Sequence, residues 1–260
     1  MKIYLVFLFA LWGLLASAFA QAQETQVQGM IPGKTFRDCD NCPEMVIIPP
    51  GAFEMGSHNN VMEKPLHIVV IRKAFAMGKT EVTQGQWKAV MGYNPSYFYS
   101  CGDDCPVDGV SWIEAQEFIR LLNKKTGKSY SLPSEAEWEY ACHAGEQQEY
   151  CGSDNIDSVA WYNANSFFKT HPVAQKQPNA FGLYDMSGNV IEWILDTAEH
   201  TYTGAPKDGR AWFHDPPGRD LRGGSWANGP DDERATKRTG APNFHQDSPR
   251  VGFRIVRELP

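Results

Sequence analysis

The sequence predicts a single, loop-rich domain that mixes short helices with short strands. The chain has 260 residues, and its 8 Trp, 10 Tyr and 14 Phe occur beside 23 Gly and 17 Pro. Glycine and proline interrupt regular elements, while large aromatic side chains bury enough surface to fix the loops between them. No internal repeat recurs at a period of about 20–50 residues, and no long polar linker divides the chain. We therefore expect one domain with little regular secondary structure.

Three short helices are predicted because a Ser or Thr is followed, three positions later, by Glu or Gln. In this capping box the hydroxyl accepts a first-turn N–H, and the longer side chain accepts the N–H of the cap residue. The predicted pairs are Thr83 with Gln86, Ser111 with Glu114, and Ser134 with Glu137. The two acids are therefore interpreted as caps and not as catalytic groups. Gly127 and Gly145 are expected to end the second and third helices.

Strands are predicted where apolar residues alternate with polar ones or form short continuous runs. The first run, residues 45–57, contains a Pro-Gly turn at positions 50–51, and a second run falls within 67–82. Later runs cover 221–226 and 251–256.

The N-terminal residues predict export. One Lys precedes a short apolar run, and small residues then lead to an Ala-x-Ala cleavage pattern that ends at Ala20. This is the arrangement of a secretory signal peptide, so residues 1–20 are expected to be removed and the mature protein to be periplasmic or secreted. The apolar run is too short for a membrane anchor. Residues 21–38 are expected to be a flexible N-terminal segment, and the domain itself to cover 39–260.

The formal net charge of −7 excludes two classes of partner. An acidic chain without a basic run has no means of neutralising nucleic-acid phosphates. It also lacks the Lys- and Arg-rich segment that would hold it to an anionic membrane. We therefore expect neither nucleic acid nor, after signal cleavage, a membrane as partner, which leaves an unknown small molecule or peptide.

Six cysteines fall into three local pairs: Cys39 with Cys42, Cys101 with Cys105, and Cys142 with Cys151. Six thiols allow many pairings, and the local one is the simplest for a protein in an oxidising compartment. Each bridge closes a small loop, so each is expected to stabilise that loop rather than the whole domain. A redox role for the first pair is disfavoured, because Pro43 and a strand-like run follow it where a helix would be needed.

Residues 181–193, FGLYDMSGNVIEW, place Asp185 and Glu192 on either side of a Gly188-Asn189 turn. Glycine lets the backbone bend, so the segment can direct two carboxylates and two turn carbonyls at one hard cation such as calcium. Those oxygens are fewer than the roughly six to eight that calcium takes, so water or distant residues would complete the shell. The alternative is a simple Gly-Asn turn with both acids solvated.

Seven motifs are shared, in order, with a known family. They are MVIIPPGAFEMGS, TEVTQGQW, PVDGVSW, LPSEAEWEYAC, PNAFGLYDMSGNVIEW, LRGGSW and VGFR. From about Cys39 to Arg257 the chain resembles the sulfatase-modifying-factor family, which includes formylglycine-generating enzymes, ergothioneine-type sulfoxide synthases and a pyoverdine-maturation protein. The resemblance implies a compact, single-domain α+β fold, the formylglycine-generating-enzyme fold, which is related to C-type lectins.

Formylglycine-generating members of that family bind calcium through the segment that matches residues 181–193. The resemblance therefore implies one calcium site, formed by the side chains of Asp185 and Glu192 and the carbonyl oxygens of Gly188 and Val190. A second calcium site of those enzymes uses an acidic loop. No acid occurs in the corresponding loop here, SFFKTHPVAQKQ, so a second site is not expected.

The copper site of the formylglycine-generating enzymes is the part that this chain does not share. Those enzymes hold copper between two cysteines shortly after the Gly-Gly-Ser strand, and Cu(I) requires such soft thiolates. Here Asn228 and Glu233 occupy the two positions, and no Cys follows Cys151. Ser225 is retained, but the Trp next to the oxygen site is replaced by Ile191. Copper is therefore not expected.

The leading functional hypothesis is an exported accessory or maturation factor without copper. It would bind a ligand or peptide in a groove after the GGSW strand, framed by Ser225, Trp226, Asn228, Glu233 and Arg234. The alternative interpretation of residues 231–234 is a solvated, charged turn. A second hypothesis is an oxidative maturation enzyme similar to the pyoverdine-tailoring member, with Glu233 as the candidate general base. A third is a formylglycine-generating oxidase that acts on a sulfatase cysteine.

Overall fold

The computed structural model describes residues 31–214, 218–241 and 248–260, so the predicted signal peptide lies outside the described residues. The strands are β1 (Thr35–Phe36), β2 (Met45–Ile48), β3 (Gly51–Met55), β4 (His67–Ile71), β5 (Phe75–Gly78), β6 (Tyr130–Ser131), β7 (Ile191–Trp193), β8 (Arg219–Arg222), β9 (Thr239–Ala241), β10 (Val251–Gly252) and β11 (Val256–Glu258). The helices are α1 (Gln84–Met91), α2 (Trp112–Thr126), α3 (Glu135–His143) and α4 (Ile156–Val159). None of the helices in these ranges is long and apolar enough to cross a bilayer.

The strands form two larger sheets and one hairpin. The first sheet has the order β1-β2-β5-β11-β6, the second has the order β10-β7-β8-β9, and β3 pairs with β4. In the second sheet β10 runs parallel to β7, with Val251 opposite Ile191 and Gly252 opposite Glu192. β7, which ends the predicted calcium segment, therefore lies between β8 and β10 in the second sheet. β8 leads into the GGSW turn, and β10 lies near the C-terminus.

The predicted capping boxes are confirmed at α1, α2 and α3. In each helix the hydroxyl of the N-cap accepts an N–H of the first turn, and the Gln or Glu side chain accepts the N–H of the cap residue. Helix α2 ends at Gly127 as predicted, with a left-handed φ of 66°. Helix α3 ends one residue before Gly145, because Ala144 itself adopts a left-handed φ of 49°.

Three of the predicted strands are shorter than expected. The run within 67–82 is divided between β4, which pairs with β3, and β5, which lies in the first sheet. The run 221–226 stays extended only as far as Arg222, because Gly223 and Gly224 both have positive φ, 96° and 69°, and turn the chain away. The run 251–256 is divided between β10 and β11, which belong to different sheets. The C-terminal motif therefore links the two larger sheets.

Part of the segment expected to be flexible, residues 21–38, is structured. Thr35 and Phe36 form β1 and pair antiparallel with β2. The guanidinium of Arg257 lies 5.1 Å from the centre of the Phe36 ring, and Phe36 packs against the core. An apolar side chain and a strand partner therefore hold this end, whereas residues 21–30 lie outside the described ranges.

Aromatic side chains fill the two main parts of the core. Trp87 stacks on Phe118 with ring centres 5.4 Å apart and an angle of 7° between the planes, and Trp138 is completely buried in the other part. All six cysteines are paired as predicted, Cys39 with Cys42, Cys101 with Cys105, and Cys142 with Cys151. The predicted loop-rich domain pinned by aromatic residues and local bridges is therefore confirmed.

A buried ionic network fixes β8 against α3. Arg238 donates from Nε to Glu135 at 2.6 Å and from Nη2 to Asp220 at 2.8 Å. Arg222 pairs with Glu139, and all of these side chains have almost no exposed surface. Because removing one member would leave a buried charge without a partner, this network fixes the position of the strand that leads into the GGSW turn.

Candidate functional site

The predicted calcium segment forms a tight turn before β7. Asp185 and Asn189 have positive φ of 53° and 61°, and Gly188 has φ 84°. A Cβ atom at Gly188 would lie 2.5 Å from the carbonyl oxygen of Trp161, so only glycine fits the position. Asp185 is 3% exposed and Glu192 is 1% exposed. The alternative in which both acids are solvated is therefore wrong.

Asp185 has one satisfied and one unsatisfied carboxylate oxygen. Its Oδ2 accepts the N–H of Ala174 at 2.7 Å, whereas the buried Oδ1 has no hydrogen-bond partner. Burial raises the pKa of Asp185 to about 6. An acceptor buried without a donor calls for an explanation such as a bound ion or water, and a cation would satisfy this one.

Glu192 is held by Arg254 and Trp138. Arg254 Nε donates to both carboxylate oxygens of Glu192 at 2.8 Å, and Trp138 Nε1 donates to Oε2 at 2.8 Å. The same guanidinium donates from Nη2 to the carbonyl oxygens of Tyr184 at 3.0 Å and Asp185 at 3.2 Å. Arg254 therefore joins the Glu192 carboxylate to the turn that carries Asp185.

Glu81 is a third buried carboxyl group at this site, and the sequence analysis missed it. It accepts the N–H of Val190 at 3.3 Å and faces the side-chain amide of Asn189 at 3.4 Å. Burial, and then the charges of Asp185 and Glu192, raises the pKa of Glu81 well above its usual range. Its signal in the sequence was an acid beside the apolar Val82 in the motif TEVTQGQW.

The turn has more buried carboxyl groups than cations, an excess that one hard cation would balance. Three buried carboxyl groups face one guanidinium, and Asp185 Oδ1 has no other partner. Across the described ranges no three His, Cys, Asp or Glu side chains converge closely enough to hold a metal by themselves. A cation here would therefore also need carbonyl oxygens of the turn, which calcium accepts as readily as carboxylates.

Three of the five predicted groove residues form one hydrogen-bonded cluster after the GGSW turn. Ser225 Oγ donates to Asn228 Oδ1, and the N–H of Ser225 donates to Glu233 Oε1 at 3.1 Å. Asn228 Nδ2 in turn donates to Asp232 Oδ2 at 3.0 Å. The structure thus brings together Asn228 and Glu233, which the resemblance places at the copper position, and the retained Ser225.

Glu233 is buried against the backbone of the turn. Its side chain has no exposed surface, and a Cβ atom at Gly224 would overlap its carboxyl group. Burial raises the pKa of Glu233 well above its usual range, and Oε2 has no hydrogen-bond partner. The interpretation of this loop as a solvated turn is therefore wrong for Glu233, although it fits the exposed Asp231.

The other two predicted groove residues are engaged elsewhere. Arg234 forms a two-point ion pair with Glu63, with Nη2–Oε1 2.8 Å and Nη1–Oε2 3.1 Å, and only 5% of its surface is exposed. Trp226 donates from Nε1 to the carbonyl oxygen of Pro249 at 3.0 Å. Arg234 therefore anchors the loop, whereas the half-buried Trp226 remains partly accessible.

A cavity of about 200 Å³ borders Asn228. Its walls include Ile191 and Trp193 from β7, Thr239 from β9, and Arg250. Ile191 and Asn228 are two positions that the resemblance marks as catalytic in the copper enzymes, and they face the same cavity here. Three more open clefts, of about 650, 520 and 480 Å³, lie elsewhere. Because none of them contains a position that the resemblance marks, we take the smallest of the four cavities as the candidate site.

A sequence model described as "Sulfatase-modifying factor enzyme 1-like domain" matches residues 32–259. The chain belongs to the sulfatase-modifying factor family. The solved structure of PvdO from Pseudomonas aeruginosa has a TM-score of 0.80 and 34% identity to it, and the match covers 88% of this chain and 99% of PvdO. Treponema denticola variable protein 1 is also similar, at 30% identity and a TM-score of 0.80 over 87% of this chain and 99% of that protein.

Proteins with different names match this chain in sequence. The "Chaperone protein LppX" of Paenibacillus barcinonensis is 32% identical over 71% of this chain and 79% of its own length. The formylglycine-generating enzyme of Streptomyces coelicolor is 32% identical, but the match spans only 37% of this chain and 34% of the enzyme. The α+β sulfatase-modifying-factor fold is therefore confirmed across most of the chain.

Proposed function

We propose that this sulfatase-modifying factor domain is an exported accessory or maturation factor that does not use copper. It binds a segment of a client polypeptide in the cavity bordered by Asn228. The observation that carries the proposal is the donor set at the copper position, where an amide, Asn228, and a buried carboxyl group, Glu233, are tied into hydrogen bonds around Ser225. All six sulfur atoms that could provide thiolates are held in disulfides.

The relatives support binding of a polypeptide. LppX, whose name describes a chaperone, matches 71% of this chain. By resemblance, the formylglycine-generating enzymes oxidise a substrate cysteine at the copper position, which Asn228 and Glu233 occupy here. The cavity combines apolar walls at Ile191 and Leu221 with the polar Asn228 and Arg250, a mixture that is usual for binding sites.

We also propose that the domain holds one calcium ion. Asp185 and Glu192 would provide carboxylate oxygens, and Gly188 and Val190 would provide carbonyl oxygens. Support comes from the unpartnered Asp185 Oδ1 and from the excess of buried carboxyl groups over cations around it. In this position calcium would fix the turn before β7 and so the wall of the cavity that carries Ile191.

The second candidate function is an oxidative maturation enzyme related to PvdO. The match to PvdO covers 99% of that protein, and Glu233 has the unpartnered oxygen and the raised pKa that occur at functional acids. Glu233 does not itself line the cavity, so in that case it would act on the reacting group through Asn228, which lines the cavity and is bonded to the same Ser225. Replacement of Glu233 by Gln would then abolish turnover while preserving the fold, whereas a binding factor would retain its client.

The proposal is tested with the mature protein, residues 21–260. We expect metal analysis to find calcium without stoichiometric copper. Incubation with a Cys-x-Pro-x-Arg peptide and oxygen should leave the thiol intact in the mass spectrum. Conversion of that thiol to an aldehyde, together with bound copper, would overturn the proposal and establish the formylglycine-generating oxidase instead.

A photo-crosslinking amino acid at Thr239, on the cavity wall, tests client binding directly in the producing cells. We expect it to capture an exported polypeptide, and filling the cavity by Ala241→Trp should remove that adduct. The same crosslinker at Lys124, on the exposed side of α2, is the matched control. Identical adducts from both positions would contradict binding at the cavity.

A further inference from the structure

Two loops expose four aromatic side chains on one part of the surface. Tyr97 and Tyr99 are 69% and 72% exposed, and Phe167 and Phe168 are 81% and 72% exposed. Single exposed apolar residues are common in folded proteins, but grouped exposed apolar residues mark interaction sites. We call these four residues, together with the half-buried Trp226, the aromatic surface.

Trp226 connects the two loops. The ring of Phe98, which follows Tyr97, contacts the ring of Trp226 edge-on, with centres 5.3 Å apart. On the other loop, Ser166 Oγ donates to the carbonyl oxygen of Trp226 at 2.7 Å. The loops that carry the exposed tyrosines and phenylalanines therefore meet at Trp226.

The two phenylalanines are held in an unfavourable backbone conformation. Phe167 and Phe168 have positive φ of 55° and 56°, which is rare for bulky residues. The N–H of Phe168 donates to Ser166 Oγ at 3.2 Å, and His171 bonds the carbonyl oxygen of Ser166 at 2.7 Å. Conformations of this kind persist only where the surroundings fix them, and they cluster at binding sites.

The tyrosine loop is fixed as firmly. The buried carboxylate of Asp108 accepts the N–H of Tyr97 at 2.8 Å and the N–H of Phe98 at 3.3 Å. The disulfide between Cys101 and Cys105 closes the same loop. Aromatic side chains that are exposed on a rigid backbone lose little conformational freedom when a partner binds, so they are suited to recognition.

The aromatic surface lies next to the proposed binding cavity. The N–H of Asn163, on the phenylalanine loop, donates to the carbonyl oxygen of Asn228 at 3.0 Å, and Asn228 lines the cavity. Trp226 donates to Pro249, whose neighbours Ser248 and Arg250 line it too. The short stretch from Trp226 to Asn228 therefore separates the aromatic surface from the cavity.

We propose that the aromatic surface docks an extended apolar segment of the client polypeptide, next to the residues that enter the cavity. This inference rests on the proposed function and names the recognition element of the client. A polypeptide is favoured over a membrane, because the net charge of −7 repels anionic lipid. It is favoured over a second copy of the chain because an extended segment can reach from this surface into the neighbouring cavity, whereas a folded copy would cover the cavity without entering it.

A library of short random peptides displayed on phage and selected on the mature protein tests the proposal. We expect the enriched peptides to carry several aromatic or aliphatic residues. A fluorescent copy of one of them should bind Phe167→Ser/Phe168→Ser and Tyr97→Ser/Tyr99→Ser at least about tenfold more weakly than the wild type. Ile113→Ser, which removes a 43% exposed residue from α2, is the control and should bind normally.

The outcomes separate this proposal from the proposed function. Loss of binding in Ala241→Trp but not in either aromatic variant would overturn the aromatic surface and leave the cavity as the client site. Loss in the aromatic variants but not in Ala241→Trp would overturn the cavity. Aromatic-dependent binding to phosphatidylglycerol vesicles would identify a membrane surface instead. A wild-type dimer that becomes monomeric in the aromatic variants would identify a second copy as the occupant.

Discussion

The guanidinium of Arg254 donates from Nε to both oxygens of the Glu192 carboxylate at 2.8 Å. Both side chains are completely buried, or nearly so. Arg254 thus satisfies Glu192 but does not reach Oδ1 of Asp185, which has no hydrogen-bond partner. A third carboxyl group, that of Glu81, lies close enough to feel the charges of both acids. One buried cation therefore serves three buried carboxyl groups, and this imbalance gives the proposed calcium site its first test.

Chelation is expected to lower the melting temperature of the wild-type protein. An ion that binds only the folded state stabilises it by RT ln(1 + [L]/Kd), which is about 2.7 kcal/mol when the ion is at 100 times its Kd. Asp185→Asn should melt lower in calcium and should no longer respond to chelator. Differential scanning calorimetry with and without EDTA, followed by titration with CaCl₂, measures both effects.

Asp104→Asn, which removes an exposed acid, is the control for the calcium experiment and should respond to EDTA as the wild type does. Glu192 variants are less informative, because they also leave Arg254 buried without its carboxylate. An identical melting curve with and without chelator would contradict the calcium proposal.

Features that depend on neighbours in sequence were predictable. The Ser134–Glu137 capping box needs only residues three apart, and the Cys142–Cys151 pair needs only a short loop. The turn at Gly188 was predictable because a Gly-Asn pair readily adopts the positive φ that the turn requires. The α+β fold was predicted from the resemblance. Seven motifs in the order of a known family identify its architecture, which the spacing of residues alone does not.

Pairs that meet across the fold were not predictable from one sequence. Glu63 and Arg234 are 171 positions apart, and no local pattern matches them. Arg234 was therefore expected to frame a groove, whereas it is bound in an ion pair. For the same reason the sequence did not reveal that Glu233 is buried, since its burial depends on contact with Gly224.

The Glu63–Arg234 ion pair is expected to be a major source of stability for the loop after the GGSW turn. Arg234→Met leaves Glu63 buried without its cation and should lower the free energy of unfolding by about 3–5 kcal/mol. The double variant with Glu63→Gln should be less destabilised than the sum of the single variants. Urea unfolding of the four proteins at neutral pH completes the cycle.

The same pair should respond to acid in a defined direction. Burial alone would raise the pKa of Glu63, but hydrogen bonds from Arg234 and Ser57 lower it below 4.5. Because the pKa of Glu63 is lower in the folded state, its carboxylate stabilises the fold at every pH above the unfolded pKa. This stabilisation is lost as the pH falls through the folded pKa. The stability advantage over Glu63→Gln should therefore shrink below about pH 4.5. A constant difference down to pH 3 would contradict the buried pair.

Gly224 is expected to tolerate no side chain, because Glu233 fills the space. Gly127 is the matched control, since it has φ +66° against +69° at Gly224 but open space around its Cβ position. Gly127→Ala should cost about 1 kcal/mol from the backbone alone, and Gly224→Ala should cost more. Adding Glu233→Ala should recover part of the difference in urea unfolding. Equal costs at the two glycines would show that Glu233 does not pack there.

Asp108 connects the aromatic surface to pH. Its carboxylate fixes the backbone of Tyr97 and Phe98. Burial raises its pKa from 3.8 to about 6, although these two hydrogen bonds act in the opposite direction. Between pH 3.8 and about 6, Asp108 is therefore protonated in the folded state but ionised in the unfolded chain. The stability that this provides is complete below pH 3.8 and is lost as the pH rises to about 6.

Asp108→Asn is expected to flatten this pH dependence. The amide does not titrate, so between about pH 4 and 6 its unfolding free energy should fall less than that of the wild type, by at most about 3 kcal/mol. At pH 4 the variant should also be less stable than the wild type, because an amide nitrogen cannot accept the second backbone N–H. Urea unfolding at intervals of pH measures both effects, with Asp104→Asn as the exposed control. A profile for Asp108→Asn parallel to that of the wild type would show that Asp108 keeps its ordinary pKa. The rigidity of the tyrosine loop would then have to come from its disulfide.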